Sequence, residues 1–436
     1  MSAVTKKEIS VSSSFMDTYF GHKPTGPFAS LRENAAKELA QKGLPSTKDE
    51  EYKFTPITKK IESSITNFGH AMPTNVTISD LKTHFIPGVD TYTLVFNNGI
   101  LDKELSGDLP DGVSARPLSS LSEEELTEKI ALAENKETDP YATLNQLAFQ
   151  DGLFLEIRDK AILDKPILLL HLIKADNHGQ TIHPRLIIET GKFVEATFIQ
   201  LVASLDEQIT FLNGLENVKV GEGSHIHHLK IQDEGKQALE VSNMVVDVPK
   251  DATFTSFVLS LQGQMIRNNL TLNLLDSNCE GNMFGIYLTN GQTHVDNHTN
   301  VDHTKPHSES NELYKGILTD KSRGVFNGKI FVRQDAQKTN AFQQNNNILL
   351  SEDAIINTKP QLEIWADDVK CSHGCTTGQL DEEALFYLRT RGISKENAKA
   401  LLLYAFAGEV LEKINHETFR EYCVQLVQQR LGGQNG

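Results

Sequence analysis

Residues 270–288 read LTLNLLDSNCEGNMFGIYL, a stretch typical of the middle of the chain. Leucines at positions 270, 272 and 274 alternate with polar residues, a polar segment follows, and a second alternating run extends from Phe284 to Leu288. A period of two residues is the pattern of a β-strand with two different faces, whereas a helix repeats every three to four residues. The stretch therefore predicts two strands joined by a turn.

Similar short segments recur between residues 153 and 366, at intervals of roughly ten to twenty residues and without a helical period between them. A β-sandwich closes within about 100 residues, but a solenoid can continue because each coil buries its inner face on the previous coil. We therefore predict a mainly β fold with a parallel β-helix over residues 151–380. The amide run from Gln343 to Asn347 fits this fold, since stacked amides can pair along the axis at bends.

Both ends of the chain have a different residue pattern from the middle. Residues 1–150 predict a mixed α/β cap domain, and residues 381–436 predict a helical domain. The helical domain contains too few residues for a large core, so a partner or the β region is expected to cover part of it. The elements expected in the two domains are a helix over Phe28 to Leu39, a strand over Tyr92 to Phe96, a helix opened by the capping pair Ser122 and Glu125, a helix over Tyr141 to Phe149, and three helices opened by Asp381, Ser394 and Asn415 or His416, the last ending near Gly432.

The composition excludes several classes of protein. Lys and Arg number 42 against 58 Asp and Glu, a net charge of −16 that argues against nucleic acid as a partner. No apolar run is long enough to span a membrane, and the first twenty residues lack the apolar region of a secretion signal. Four cysteines in 436 residues do not make a disulfide framework. These observations predict a cytoplasmic protein.

No nucleotide or hydrolase motif is complete. The segment from Gly324 to Lys329 resembles a phosphate loop, but it has three residues between its glycines instead of four. Ile330 stands where a Mg²⁺-binding Ser or Thr belongs. Metalloprotease, nucleophile-elbow and dinucleotide-binding motifs are also absent from the sequence. A nucleotide-dependent enzyme is not indicated.

Histidines concentrate in a polar segment that contains His294, His298, His303 and His307. Asp296 and Asp302 lie among them, and imidazoles with carboxylates are ligands for zinc or iron. The spacing matches no closed metal module, and polar turns of a solenoid are commonly solvated. Both a metal site and a solvated turn remain open at this stage.

A second candidate site is Cys371-Ser-His373-Gly-Cys375. If the stretch is extended, alternation directs Cys371, His373 and Cys375 to one side, presenting two soft sulfurs and an imidazole suited to iron or copper. The alternative is that the cysteines are small buried apolar residues and that His373 donates to a backbone carbonyl.

Several segments together form a pattern found in a known family. They are 49–55 (DEEYKFT), 301–307 (VDHTKPH), 312–316 (ELYKG), 324–330 (GVFNGKI), 338–360, 363–374 and 378–392. With these segments the chain resembles the SufB/SufD family of the SUF iron-sulfur cluster assembly system. The Lys-Cys-Ser-His-Gly motif at residues 370–374 favours the SufD branch over the SufB branch.

The resemblance implies a right-handed parallel β-helix that pairs with SufB and docks the ATPase SufC on its C-terminal helices. The chain would be a non-catalytic scaffold subunit. Cys371 and His373 match family positions at the SufB interface, where a nascent iron-sulfur cluster forms, whereas Cys375 replaces an Ala of the family pattern. One subunit offers an incomplete ligand set, which implies a transient cluster and no stably bound cofactor.

The sequence leaves other readings open. A polysaccharide-active β-helix enzyme and a His/Asp-dependent metalloenzyme built on residues 294–307 are the alternatives to a scaffold. Whether flavin binds the assembled complex, and whether the isolated chain forms a homodimer, also stay open.

Overall fold

The computed structural model describes residue 26 and residues 28–65, 72–131, 139–175 and 179–432. In these residues the chain is mainly β and forms a parallel β-solenoid of about eight turns, with helices at both ends. The predicted mainly β, solenoidal fold is confirmed. The first twenty residues, on which the expectation of a missing secretion signal rests, lie outside the described residues.

Helices precede and follow the solenoid. They are α1 Ala29–Lys42, α2 Ile57–Ser64, α3 Ile78–Lys82, α4 Glu123–Ala131, α5 Pro140–Ala148, α6 Glu382–Thr390, α7 Lys395–Leu411 and α8 Glu417–Leu431. No helix in the described part of the chain is long and apolar enough to cross a membrane.

The strands are β1 Tyr92–Asn97, β2 Ile100–Asp102, β3 Val113–Pro117, β4 Leu153–Ile157, β5 Ile167–Ile173, β6 Gln180–Ile182, β7 Arg185–Thr190, β8 Glu195–Ser204, β9 Thr210–Lys219, β10 His225–Asp233, β11 Leu239–Val248, β12 Thr253–Gln262, β13 Met265–Leu274, β14 Glu280–Thr289, β15 His294–His303, β16 Glu309–Leu318, β17 Arg323–Val332, β18 Asn340–Leu349, β19 Ile355–Ile364 and β20 Lys370–Gly378.

From β7 onward, successive strands alternate between two sheets, and each strand pairs in parallel with the strand two places later. We call the sheet that ends in β20 sheet I and the sheet that ends in β19 sheet II. Both sheets extend back across residue 150, because β1 pairs with β5 in sheet I and β3 pairs with β4 in sheet II. The strands of the N-terminal region therefore continue the solenoid.

One corner of the solenoid has the same backbone conformation in every coil, although the residue type at the corner differs from coil to coil. Each coil turns there through a residue with positive φ, and successive corners lie 27 to 33 residues apart. The corner N–H donates to a carbonyl of the next coil, as His307 does to Gln337 and Lys338 does to Asp368. His307, predicted as a metal-site candidate, is one of these corner residues, which are Lys160, Phe193, Gly223, Asp251, Asn278, His307 and Lys338.

Apolar residues fill the space between the sheets and also cover part of each outer face. On sheet I, Leu403 and Val410 of α7 pack in one cluster with strand residues such as Phe257. On sheet II, Leu39 of α1 and Tyr141 of α5 pack with Phe211, Leu239 and their neighbours. The β region thus covers the apolar side of the C-terminal helices, as expected.

Helix caps agree with the sequence. The Ser122 Oγ accepts from the Glu125 N–H at 3.1 Å, and the Glu125 carboxylate accepts from the Ser122 N–H at 2.9 Å. Asp381, Ser394 and His416 each accept from backbone N–H groups one turn later, and Gly432 ends α8 in the left-handed region. The capping predictions are confirmed because these signals act within a few residues of the chain.

Candidate functional site

The Cys-Ser-His-Gly-Cys segment forms most of β20, the last strand of sheet I. The strand is extended, so Cys371, His373 and Cys375 occupy alternate positions on one face. Cys371 pairs in register with Ala341 of β18 and packs against the cluster between the sheets. The three side chains therefore lie on the inner face, at the open end of the solenoid.

The open end leaves these residues accessible. Among the described residues, β19 and β20 each pair on one side only. His373 and Cys375 are exposed, whereas Cys371 is half-buried and burial raises the pKa of its thiol. A backbone edge with free hydrogen-bonding groups is a template for another chain. The structure thus places a thiol and an imidazole where a second subunit can reach them.

A cleft of about 680 Å³ opens on the outer face of sheet I, beside Phe284, Leu313 and α7. Its walls include Glu280 on sheet I and both Glu409 and Lys413 of α7. His227, from a histidine-rich segment far earlier in the chain, lines the same cleft. Its lining side chains lie on the face of sheet I opposite to those of Cys371 and His373, so the cleft is separate from the β20 site.

The amide run forms part of strand β18 and does not lie at a bend, so this part of the prediction is wrong. Gln343, Asn345 and Asn347 are buried on the inner face of β18. The Asn347 Nδ2 donates to the Asn345 Oδ1 at 2.7 Å, and the Gln343 Nε2 donates to the Glu312 carboxylate at 2.7 Å. Glu312 and Gln343 are site residues that sequence reasoning missed, because their proximity to His373 depends on strand register.

The histidines of residues 294–307 lie in a strand and its following corner, not in a solvated polar turn. His294 and His298 lie on β15 with Asp296 between them, and the His298 Nε2 is 3.0 Å from the Asp296 Oδ1. His303 is fully buried elsewhere on the strand, with its ring nitrogens 2.7 and 2.9 Å from the Ser308 and Ser310 hydroxyls. Burial lowers the pKa of both His294 and His303 to about 4. The structure therefore brings together two of the four predicted candidates.

In the part of the chain that the structure describes, no group of three or more His, Cys, Asp or Glu side chains is arranged to hold a metal ion. Asp302 instead pairs with Arg333, whose Nε is 2.8 Å from the Asp302 Oδ1. The Asp296 Oδ2 accepts from Arg267 at 2.7 Å and from the Thr55 hydroxyl at 2.5 Å. These carboxylates are thus engaged by cations and hydroxyls of the protein.

One partner of Asp296, Thr55, belongs to residues 49–55, which we call the strap. The strap lies across the outer face of sheet II, and the Arg267 guanidinium sits 3.7 Å from the centre of the Tyr52 ring. Glu51 contacts Lys329, with 2.6 Å between Nζ and Oε1, and His298, with 3.5 Å between Nδ1 and Oε2. Strand β15, the histidine-rich strand, therefore anchors the strap.

Glu51 should give this anchor a pH dependence. The hydrogen bond from His298, followed by that from Lys329, lowers the pKa of Glu51 from 4.5 to about 2. A lowered carboxyl pKa contributes stability above the unfolded value and loses it as pH falls from about 4.5 to about 2. We predict that Glu51→Gln lowers the free energy of unfolding at pH 7 by about 1 kcal/mol, discounted because the side chain is partly exposed.

Urea unfolding at several pH values measures this contribution. The difference between wild type and Glu51→Gln should shrink as the pH is lowered from 4.5 towards 2. Glu33→Gln, at an exposed position of α1, is the control and should stay within about 0.5 kcal/mol of wild type. An equal difference at pH 7 and pH 2.5 would contradict the assignment.

The glycines of the incomplete phosphate loop have a packing role. They lie within β17, so the segment is a strand and not a loop. A Cβ on Gly324 would lie 2.7 Å from the Ile356 Cδ1, and one on Gly328 would lie 2.3 Å from the Gln343 Nε2. Gly328 thus leaves room for the buried amide of Gln343.

Comparison with known proteins matches the chain to two family models. The model described as "SUF system FeS cluster assembly, SufBD core domain" matches residues 171–406, and the model described as "SufBD protein N-terminal region" matches residues 18–169. The iron-sulfur cluster assembly protein SufD of Escherichia coli is 31% identical over 400 residues, covering 91% of this chain and 92% of that protein. An iron-sulfur cluster assembly SufBD family protein of Synechocystis is 30% identical, covering 88% and 86%. The chloroplastic protein ABCI7 of Arabidopsis thaliana is 27% identical, covering 91% and 84%.

Proposed function

The chain belongs to the SufBD family of the SUF iron-sulfur cluster assembly system, and from this membership we propose that it is a non-catalytic scaffold subunit of the cytoplasm. In this proposal the chain pairs with SufB, docks the ATPase SufC, and contributes Cys371 and His373 to a nascent cluster at the SufB interface. The cluster is cargo that the complex builds and releases.

The observation that carries the proposal is the position of Cys371 and His373 on one face of an edge strand. Thiolate and imidazole are both ligands of iron-sulfur centres, and two ligands from one subunit are too few to complete a cluster site. A partner strand laid along β20 would bring the missing ligands to the same face. A site divided between subunits can release its cluster when the interface opens.

Exposed apolar side chains on the last coils support pairing through the open end. Phe342 is 44% exposed on β18, and Ile364 and Trp365 are 40% and 49% exposed at the end of β19. Apolar groups beside an unpaired edge are typical of a surface that another chain covers. We propose that SufB covers it, and that in its absence a second copy of this chain can occupy the same edge.

A second exposed surface, on the C-terminal helices, supports docking of SufC. Helix α6 has no buried residue, and Phe386 and Tyr387 are 68% and 57% exposed. Leu401 of the neighbouring helix α7 is 47% exposed. The opposite side of α7 packs on sheet I, so Leu401 faces away from the solenoid. All three exposed residues are available to a partner.

Co-expression of the tagged chain with SufB and SufC homologues of the same organism tests the proposal. We expect the three chains to purify together without oxygen, with iron and sulfide bound. If the chain is recovered at physiological salt with neither SufB nor SufC, this result would contradict the scaffold function.

A double substitution, Phe386→Ser with Tyr387→Ser, tests the SufC surface. Because buried aromatic residues dominate protein interfaces at about 2 kcal/mol or more each, we predict at least about tenfold less SufC in the purified complex. SufB should be retained in full. The control is Ile162→Ser, which is 71% exposed, lies outside the C-terminal helices and should retain both partners. Unchanged SufC recovery in the double variant would place the docking surface elsewhere.

A further inference from the structure

Three inner-face residues lie side by side across the last three strands of sheet I. Glu312 on β16 is in register with Gln343 on β18, and Gln343 is in register with His373 on β20. Neighbouring parallel strands are about 4.8 Å apart, so each side chain reaches the next one in the row.

The hydrogen bonds of this row are incomplete at the Gln343 Oε1 and at the Glu312 Oε1. The Gln343 Nε2 donates to the Glu312 Oε2 at 2.7 Å. Above the Glu312 pKa of about 7 the ionised carboxylate only accepts, and this fixes the amide orientation. The Gln343 Oε1 is buried and accepts no hydrogen bond. A buried acceptor without a donor is costly, by about 1 to 3 kcal/mol, and calls for a partner.

The packing around Gln343 prevents the amide from turning elsewhere. The side chain is only 1% exposed, and Gly328 of sheet II lies so close that a Cβ there would be 2.3 Å from the amide nitrogen. Burial raises the pKa of Glu312 to about 7, and the hydrogen bond from Gln343 opposes that rise. Among the residues of the row, His373 supplies the ring N–H that the free oxygen lacks.

We infer that Gln343 is a positioning residue for His373: when the exposed His373 ring turns towards β18, one ring nitrogen donates to the Gln343 Oε1, and the other ring nitrogen keeps its lone pair for iron. Glu312 acts one step further away by holding the amide in that orientation. Such a partner fixes both the tautomer and the ring direction of a metal-binding histidine. The inference rests on the proposed function, since it presumes that His373 is a cluster ligand.

The tautomer of His373 can be measured without any cluster. Nuclear magnetic resonance of the full chain labelled with ¹⁵N-histidine, at pH 8.5 where imidazole is neutral, reports which ring nitrogen carries the proton. The His373 signals are those that disappear in His373→Asn. We expect one tautomer to dominate in wild type, and its excess to fall about fivefold in Gln343→Leu, the factor that corresponds to one hydrogen bond of about 1 kcal/mol.

Two matched controls separate this effect from a general disturbance. Gln344→Leu changes the same residue type at the next position, on the exposed face of β18, and should leave the tautomer ratio unchanged. Glu312→Gln keeps the buried shape and should lower the ratio in the same direction, while Glu309→Gln, exposed on the same strand, should not. If Gln343→Leu does not fold, the comparison of Glu312→Gln with Glu309→Gln tests the inference instead.

The outcomes distinguish the inference from the function on which it rests. A tautomer ratio within twofold of wild type in Gln343→Leu, or in Glu312→Gln where the leucine variant does not fold, would overturn the positioning role. A ratio that changes as expected supports the positioning role whatever the cluster content. Loss of the ligand function would appear separately, as normal iron and sulfide in a His373→Ala complex.

Discussion

The Arg267→Ala variant is expected to lose about 3 to 5 kcal/mol of unfolding free energy, the usual effect of removing one partner of a buried ion pair. Arg267 is 1% exposed and donates to Asp296 at 2.7 Å and to the Glu51 carbonyl at 2.8 Å. The substitution would leave the Asp296 carboxylate buried without its cation. It would also remove the guanidinium from the Tyr52 ring and loosen the strap.

Urea unfolding followed by circular dichroism measures this loss. The control is Arg323→Ala, an exposed arginine on β17, which should change the unfolding free energy by less than about 0.5 kcal/mol. The double variant Arg267→Met with Asp296→Leu should be more stable than Arg267→Ala, because it leaves no unpaired charge. A loss below 1 kcal/mol in Arg267→Ala would mean that the strap is not anchored by this pair.

Local signals in the sequence predicted six of the eight described helices and their caps, but not α2 and α3. Ser122 with Glu125, Ser394 and Gly432 act through hydrogen bonds or backbone conformations within one turn, so they need no knowledge of the fold. The strands were predictable for a similar reason, since a two-residue period records which side chains face the interior.

The coil repeat was not visible because backbone conformation, not residue type, defines it. The corner positions hold residues as different as Phe193, Asp251 and His307, all with positive φ. A search for a repeated residue finds nothing at such positions. Only the recurring spacing of about 30 residues carries the signal.

The function of the histidine-rich strand was not predictable from its neighbours in the chain. Asp296 is engaged by Thr55, some 240 residues earlier, and by Arg267 on the adjacent strand. Alternation did predict that Cys371 and His373 share a face. It could not identify Gln343 or Glu312, since a row across strands requires the register.

The His373→Ala variant is expected to lower cluster content by at least about tenfold while the complex stays assembled. Loss of an outer-shell partner alone costs 10 to 100-fold in metal affinity, so loss of a ligand should cost no less. The side chain is exposed on an edge strand, so truncation removes little packing. Cys371→Ser should have a similar but smaller effect, and Cys375→Ala should be mild.

The direct measurement is iron and acid-labile sulfide per complex, with the visible absorbance, for the co-expressed chains purified without oxygen. Wild type and Cys375→Ala should carry comparable cluster, and His373→Ala should carry at most about one tenth of it with SufB and SufC still present. Wild-type iron and sulfide in the His373→Ala complex would contradict the account, because the chain would then support assembly without contributing this ligand.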